Sequence, residues 1–160
     1  MMLESLWKSK RAYDTMSLEI DRTPNFAIGR ANHLLQSEMR NGLQDSKSNL
    51  SPEGCSILLL LTKIGEPIRV SELASLAVRD GTTLKRQIDN LVKLEFVTQT
   101  KDLSDGRVVL ISSTATGNQA IRDLGPLFDS ITQKAMDGIT PEDLAKTLDV
   151  LQKIKLNLLS

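Results

Sequence analysis

The feature that most restricts the fold of this chain lies between Ile68 and Ser112, where two short helical patterns are followed at once by two β-prone runs. After a short extended piece over 68–70, residues 71 to about 77 and 82 to about 94 each carry apolar side chains at helical spacing. A turn through Arg79-Asp80-Gly81 joins them, which makes a helix-turn-helix candidate. Residues 96–101 and 107–112 are rich in Val, Thr, Ile and Phe and flank Asp102-Leu103-Ser104-Asp105-Gly106. The Asp-Gly pair predicts a β-hairpin, because it supplies the positive backbone angles that a tight turn needs. Two helices and an immediate hairpin form a winged helix-turn-helix, and the turn, the helix and the wing each have their own signal.

The rest of the chain reads as helix. Thr23-Pro24, Ser51-Pro52 and Thr140-Pro141 each combine a side chain able to accept from first-turn N–H groups with a proline that sacrifices an N–H lacking a partner. They predict helices over 24 to about 43, over 52 to about 64, and from 141 through Leu144, Leu148, Leu151, Ile154 and Leu158. Asp143, three residues after Thr140, has capping-box spacing. The second helix carries Ile57, Leu58, Leu60 and Leu61 on too many sides for a surface position and belongs in the middle of the fold. A further helix is expected from about Leu3, with Leu6, Tyr13 and Ile20 on one face. Another resumes near Thr114, is bent or broken at Gly125-Pro126 and continues to about Asp137. The fold class is therefore mainly α with a small β-hairpin wing. The expected division is 1–48 and 118–160 as helical dimerisation regions around a winged-helix domain over 49–117.

Charge and composition narrow the function. Twenty basic residues balance twenty acidic ones, and residues 1–50, 51–117 and 118–160 are each nearly neutral. No segment is a polycationic arm, so any nucleic-acid binding must come from a few placed side chains. The longest apolar run, over 57–61, is far short of a membrane span, and no leader pattern is visible; a cytoplasmic protein with no membrane partner is expected. One Cys and one His without clustered carboxylates give no metal site, no cofactor is implied, and no nucleophile-bearing motif supports a catalytic residue.

On the second helix of the pair, Leu84, Ile88 and Leu91 share one face. At about 100° per residue the opposite face holds Thr82, Arg86, Asp89 and Lys93, flanked by Thr83 and Asn90. Arg donates two bonds to guanine edges, Asn pairs with adenine, and Thr bonds phosphate or touches a thymine methyl. Residues 82–93 hold Lys85, Arg86 and Lys93 against Asp89 alone, a small local excess that dimerisation would present twice.

From Asn25 to about Leu159 the chain resembles the MarR family of bacterial transcriptional regulators. Leu50-Ser51-Pro52-Glu53 is similar to the family's helix-opening segment, Val70-Ser71-Glu72-Leu73-Ala74 to the first helix of its helix-turn-helix, and residues 82–91 to its recognition helix. Asp105-Gly106-Arg107 followed by Thr114-Ala115-Thr116-Gly117 matches its wing pattern and the Thr-x-x-Gly that restarts the helix. Two positions depart: Ser113 stands where Leu is usual, and Glu95 where a Gly commonly closes the recognition helix, which predicts a reshaped helix end. Leu103 and Ser104 also leave the wing less basic than in many members.

The resemblance implies a homodimer whose terminal helices interlock and whose two lobes meet successive major grooves of double-stranded DNA. Half-sites would lie roughly 34 Å apart on a pseudo-palindromic operator. The implied DNA-binding residues are Ser71, Thr82, Thr83, Lys85, Arg86, Asn90, Asp105 and Arg107, with Arg107 at the minor groove and Asp105 bracing the wing by pairing with a basic side chain. A repressor released by a small-molecule effector is implied, with His33 bordering the effector cavity. Two alternatives stay open: a winged helix that contacts protein through the same face, and a thiol-based sensor acting through Cys55. Cys55 sits near the start of an apolar helix, where a free cysteine most often behaves as a small hydrophobe.

Overall fold

The computed structural model describes residues 23–78 and 80–159. In chain order these form α1 (Pro24–Asp45), α2 (Pro52–Ile64), β1 (Ile68–Arg69), α3 (Val70–Ala77), α4 (Gly81–Lys93), β2 (Val97–Lys101), β3 (Val109–Ser113), α5 (Ala115–Asp123), α6 (Gly125–Met136) and α7 (Pro141–Leu159). The helix expected from about Leu3 lies outside the described residues. Each Ser/Thr-Pro pair does open a helix. Ser51 Oγ accepts from the Gly54 N–H at 3.0 Å, and Thr140 Oγ1 accepts from the Asp143 N–H at 3.1 Å while donating to the Asp143 carboxylate at 2.8 Å.

The core gathers around α2, as its all-round apolarity requires. Ile57, Leu58 and Leu61 are buried against Leu73 of α3, Leu84, Ile88 and Leu91 of α4, Val97 and Ile111 of the sheet, and Ile121 of α5. Each such side chain withdrawn from water contributes about 1.5–3 kcal/mol, so α4 is held by one face and leaves the other free. The strands pair antiparallel in the order β1-β3-β2, with Ile68 opposite Ile111 and Lys101 opposite Val109. Through β1, the wing is joined to the segment that leads into the helix-turn-helix.

Three local expectations are corrected. Val70 opens α3 rather than ending the extended piece. The turn expected over 79–81 comes earlier: Val78 is already left-handed, at φ 49° and ψ 52°, and Gly81 already lies in α4. The reason is the cap: the Asp80 carboxylate accepts from the Thr83 N–H at 2.8 Å and starts the helix at Gly81. In the wing, Gly106 does not take a positive φ. The connection runs over 102–108, two residues longer than the expected 102–106, and is closed by Asp side chains on backbone N–H groups.

The end of α4 is not reshaped by the missing glycine. Glu95 itself enters the left-handed region at φ 60°. Its N–H reaches the Val92 carbonyl at 2.9 Å and the Phe96 N–H reaches the Leu91 carbonyl at 3.0 Å, the two bonds of a Schellman ending. Thr114 locks this ending to α5. Its N–H donates to the Phe96 carbonyl at 3.0 Å, and its hydroxyl donates to the Glu95 carbonyl at 2.7 Å while accepting from the Gly117 N–H at 3.0 Å. Gly117 is needed because a Cβ there would overlap the Phe96 carbonyl oxygen and press on Leu58. The Thr-x-x-Gly spacing is thus one joint, with Thr as clamp and Gly as clearance.

Helix α5 gives way to α6 at Leu124, beside the predicted break at Gly125-Pro126. Among the described residues, α7 packs extensively against no other element and buries no residue, leaving Leu148, Val150, Leu151, Leu156 and Leu158 exposed.

The joint yields opposite outcomes for two substitutions. Gly117→Ala should lower stability in urea by about 1–3 kcal/mol, the usual cost of forcing atoms into a filled space. Glu95→Gly should raise it by up to about 1 kcal/mol, because glycine relieves the left-handed backbone and offsets this only partly by its greater freedom when unfolded. Equilibrium unfolding of both variants checks the pair.

Candidate nucleic-acid interface

The amphipathicity of α4 sets up the site. With Leu84, Ile88 and Leu91 almost fully buried, Thr82, Lys85, Arg86 and Asn90 are carried outward by the helical period. These four line one surface depression of about 620 Å3 with Ser51, Gln87, Asp89 and Lys93. The structure therefore gathers half of the expected DNA-contact residues in one groove. Thr83 is half-buried, its N–H engaged by Asp80, and it stands beside the groove. Ser71, exposed in the first turn of α3, also lies outside it.

Ser51 and Gln87 are groove residues that sequence reasoning did not assign to it. Ser51 was legible only as a helix cap, and its place beside α4 follows from the packing of α2 on that helix, which spacing along the chain does not encode. Gln87 lies between the buried and the free face of α4 and is itself half-buried.

Asp80 is held below the ordinary carboxylate range, first by its hydrogen bonds to Thr83. A depressed value means that the charged cap stabilises α4 above the unfolded-state pKa and is lost as pH falls through the folded-state value. Being negative at the helix N-terminus, the cap also suits the helix dipole.

Asp105 and Arg107 sit in the wing loop, both exposed. The Asp105 carboxylate accepts from the Arg107 N–H at 3.0 Å, so Asp105 shapes the loop through the backbone. The ionic brace seen among the described residues falls on Asp102 instead, whose carboxylate lies 3.8 Å from the Arg69 guanidinium. Asp102 also accepts from the hydroxyl and the N–H of Ser104, at 2.6 and 2.8 Å, and the hydroxyl bond is the leading reason its carboxyl is held below the ordinary range. The sequence signal for this was present, since Asp two residues before Ser is an Asx-turn pattern.

Comparison with known proteins bears directly on this arrangement. Residues 50–109, from just before α2 to the start of β3, match the profile described as the MarR family. The uncharacterized HTH-type transcriptional regulator YxaD of Bacillus subtilis is 39% identical over 95 residues, which are 59% of this chain and 62% of that protein's length. A mutant MarR from E. coli, solved in complex with operator DNA, superposes with a TM-score of 0.72 at 20% identity, over 80% of this chain and 90% of that one. Over residues 50–109, the winged-helix segment, the chain is similar to the MarR family.

Another fold match is BpsR of Bordetella bronchiseptica, whose DNA binding is described as regulated by 6-hydroxynicotinic acid, with a TM-score of 0.75 at 18% identity over 85% of this chain and 95% of that one. YxaD carries the name of a transcriptional regulator of the helix-turn-helix type, and this chain spans less than two thirds of its length.

Two further groups are placed by the fold. His33 lies on the exposed part of α1 in a shallow depression with Phe26, Arg30 and Leu34. It is not among the residues lining the apolar cleft of about 480 Å3 between α1 and α6, formed by Leu34, Leu35, Ile131, Ala135 and Ile139 and crossed by the Lys134–Glu38 ion pair at 2.9 Å.

Cys55 is buried in α2, and burial pushes its thiol from the ordinary value up to about 11. At pH 8 only about one thiol in a thousand is then ionised, and the thiolate is the reactive form. An aromatic disulfide reagent at pH 8 should therefore modify the native protein at least about a hundredfold more slowly than the denatured chain. Comparable rates in the two states would return Cys55 to contention as a sensor.

Proposed function

We propose that this chain is a DNA-binding transcriptional regulator, acting as a homodimeric repressor on a pseudo-palindromic operator. The observation that carries the reading is the groove along α4, in which Thr82, Lys85, Arg86 and Asn90 stand together on a helix whose opposite face is buried. In this reading α4 enters the major groove, with Arg86 and Asn90 facing base edges and Lys85 and Thr82 facing phosphate. Ser71 and Thr83 flank α4 on the backbone, while Asp105 shapes the wing that presents Arg107 to the adjacent minor groove.

A second copy of the chain is the partner that the helical arms support. The exposed apolar residues of α7 and of α1, among them Phe26, Leu34 and Leu35, exceed what a lone lobe accounts for. Residues 1–48 and 118–160 then supply dimerisation and 49–117 the DNA-binding lobe. A small molecule acts by favouring one spacing of the two lobes over another, and the regulation described for BpsR supports an effector of that kind. The place of action is the cytoplasm, where the DNA is.

Selection of genomic fragments with the purified protein at fixed salt tests the reading. A recovered operator should be bound with a shallow salt dependence for this class, since few cationic side chains face it. Arg86→Ala should weaken binding by about 1–3 kcal/mol and relax the base preference at one position of each half-site. Selection of no sequence, or unchanged binding by Arg86→Ala, would overturn the assignment of the reading face and favour a protein partner.

A further inference from the structure

The wing carries an apolar side chain where solvent would favour a polar one. Leu103 is fully exposed, at 105% relative to an isolated residue. A lone exposed leucine is ordinary on a protein surface. What sets this one apart is the loop that holds it.

Residues 102–108 are fixed by their own polar groups. The Asp102 N–H donates to the Val108 carbonyl at 3.0 Å, and the Val108 N–H to the Asp105 carbonyl at 2.9 Å. Asp102 takes both donors of Ser104, Asp105 takes the Arg107 N–H, and Arg69 anchors Asp102 to the edge strand β1. The polar neighbours of Leu103, Asp102 and Ser104, are thus turned towards each other and spent on the loop. The leucine is an apolar side chain left pointing outward, on a tip whose ordering cost has already been met in folding.

We propose that Leu103 is an apolar wedge that the wing sets into the DNA minor groove beside Arg107, where it reads the absence of the guanine amino group. The inference rests on the DNA-binding reading above. The chemistry fits: minor-groove walls are apolar sugar edges, apolar side chains, leucine among them, serve as wedges there, and an A·T floor leaves room that the guanine N2 amino group fills. Arg107 supplies charge and Leu103 shape, so the wing favours A·T pairs without a base-specific hydrogen bond.

The test uses the full chain on a selected operator, with Leu103→Ala, Leu103→Ser and Arg86→Ala measured across a salt series. Because Leu103 touches solvent alone, both of its variants should fold and melt like the parent. Each should bind about tenfold more weakly, as expected when a leucine's outer carbons leave an apolar contact. Their salt slope should match the parent's, since no phosphate contact is lost. Replacing A·T by G·C under the wing should weaken the parent, and I·C, which lacks the minor-groove amino group, should restore it; Leu103→Ala should be indifferent to all three.

Unchanged affinity of the Leu103 variants while Arg86→Ala is weakened would overturn the wedge and leave the DNA-binding reading standing. So would failure of I·C to restore binding. If the parent selects no DNA, the DNA-binding reading falls and the wedge falls with it.

Discussion

The structure turns on the joint where Thr114 meets the end of α4. One threonine hydroxyl holds the Glu95 carbonyl and caps α5 through the Gly117 N–H, while the Thr114 N–H holds the Phe96 carbonyl. Helix α4, the strand β2 that starts the wing, and the helix leading to the C-terminal arm therefore meet within one turn of chain. Glycine at 117 lets them come that close. The orientation of the exposed face of α4 relative to the wing is set here, since both depart from the same few hydrogen bonds.

Much of this was legible in the sequence because the signals were local. The three Ser/Thr-Pro pairs open α1, α2 and α7, and the apolar steps of α4 correctly divide its buried from its free face. Gly81 and Gly106 looked like the residues that turn the chain, yet Val78 takes the left-handed position and side chains of Asp102 and Asp105 close the wing loop. In both places a hydrogen-bonding aspartate decided the backbone path, and glycine was permitted rather than required. A β-branched residue at φ 49° is strained, and its N–H closes α3 on the Ala74 and Ser75 carbonyls.

The candidate site was legible to the extent that it lies on one helix. Thr82, Lys85, Arg86 and Asn90 come together because helical periodicity alone brings them there. Ser51 joins them only through the packing of α2 on α4, and the Arg69–Asp102 brace arises only through the pairing of β1 with β3. Such long-range juxtapositions leave no trace in spacing. The neutral overall charge is consistent with this economy: the free face of α4 gathers a few cations, while acidic residues such as Asp80 and Asp102 serve as caps and braces.

The burial of Leu84, Ile88 and Leu91 has a consequence for control. A helix with three side chains embedded in a close-packed core cannot roll or slide without disturbing Ile57, Leu58 and Leu61 beneath it. The reading surface is thus a fixed stamp. Any signal that changes what the stamp can reach has to carry the whole lobe as a rigid body, and two covalent routes lead out of it: the segment 46–51 from α1, and Leu124, the single residue that ends α5 and begins α6.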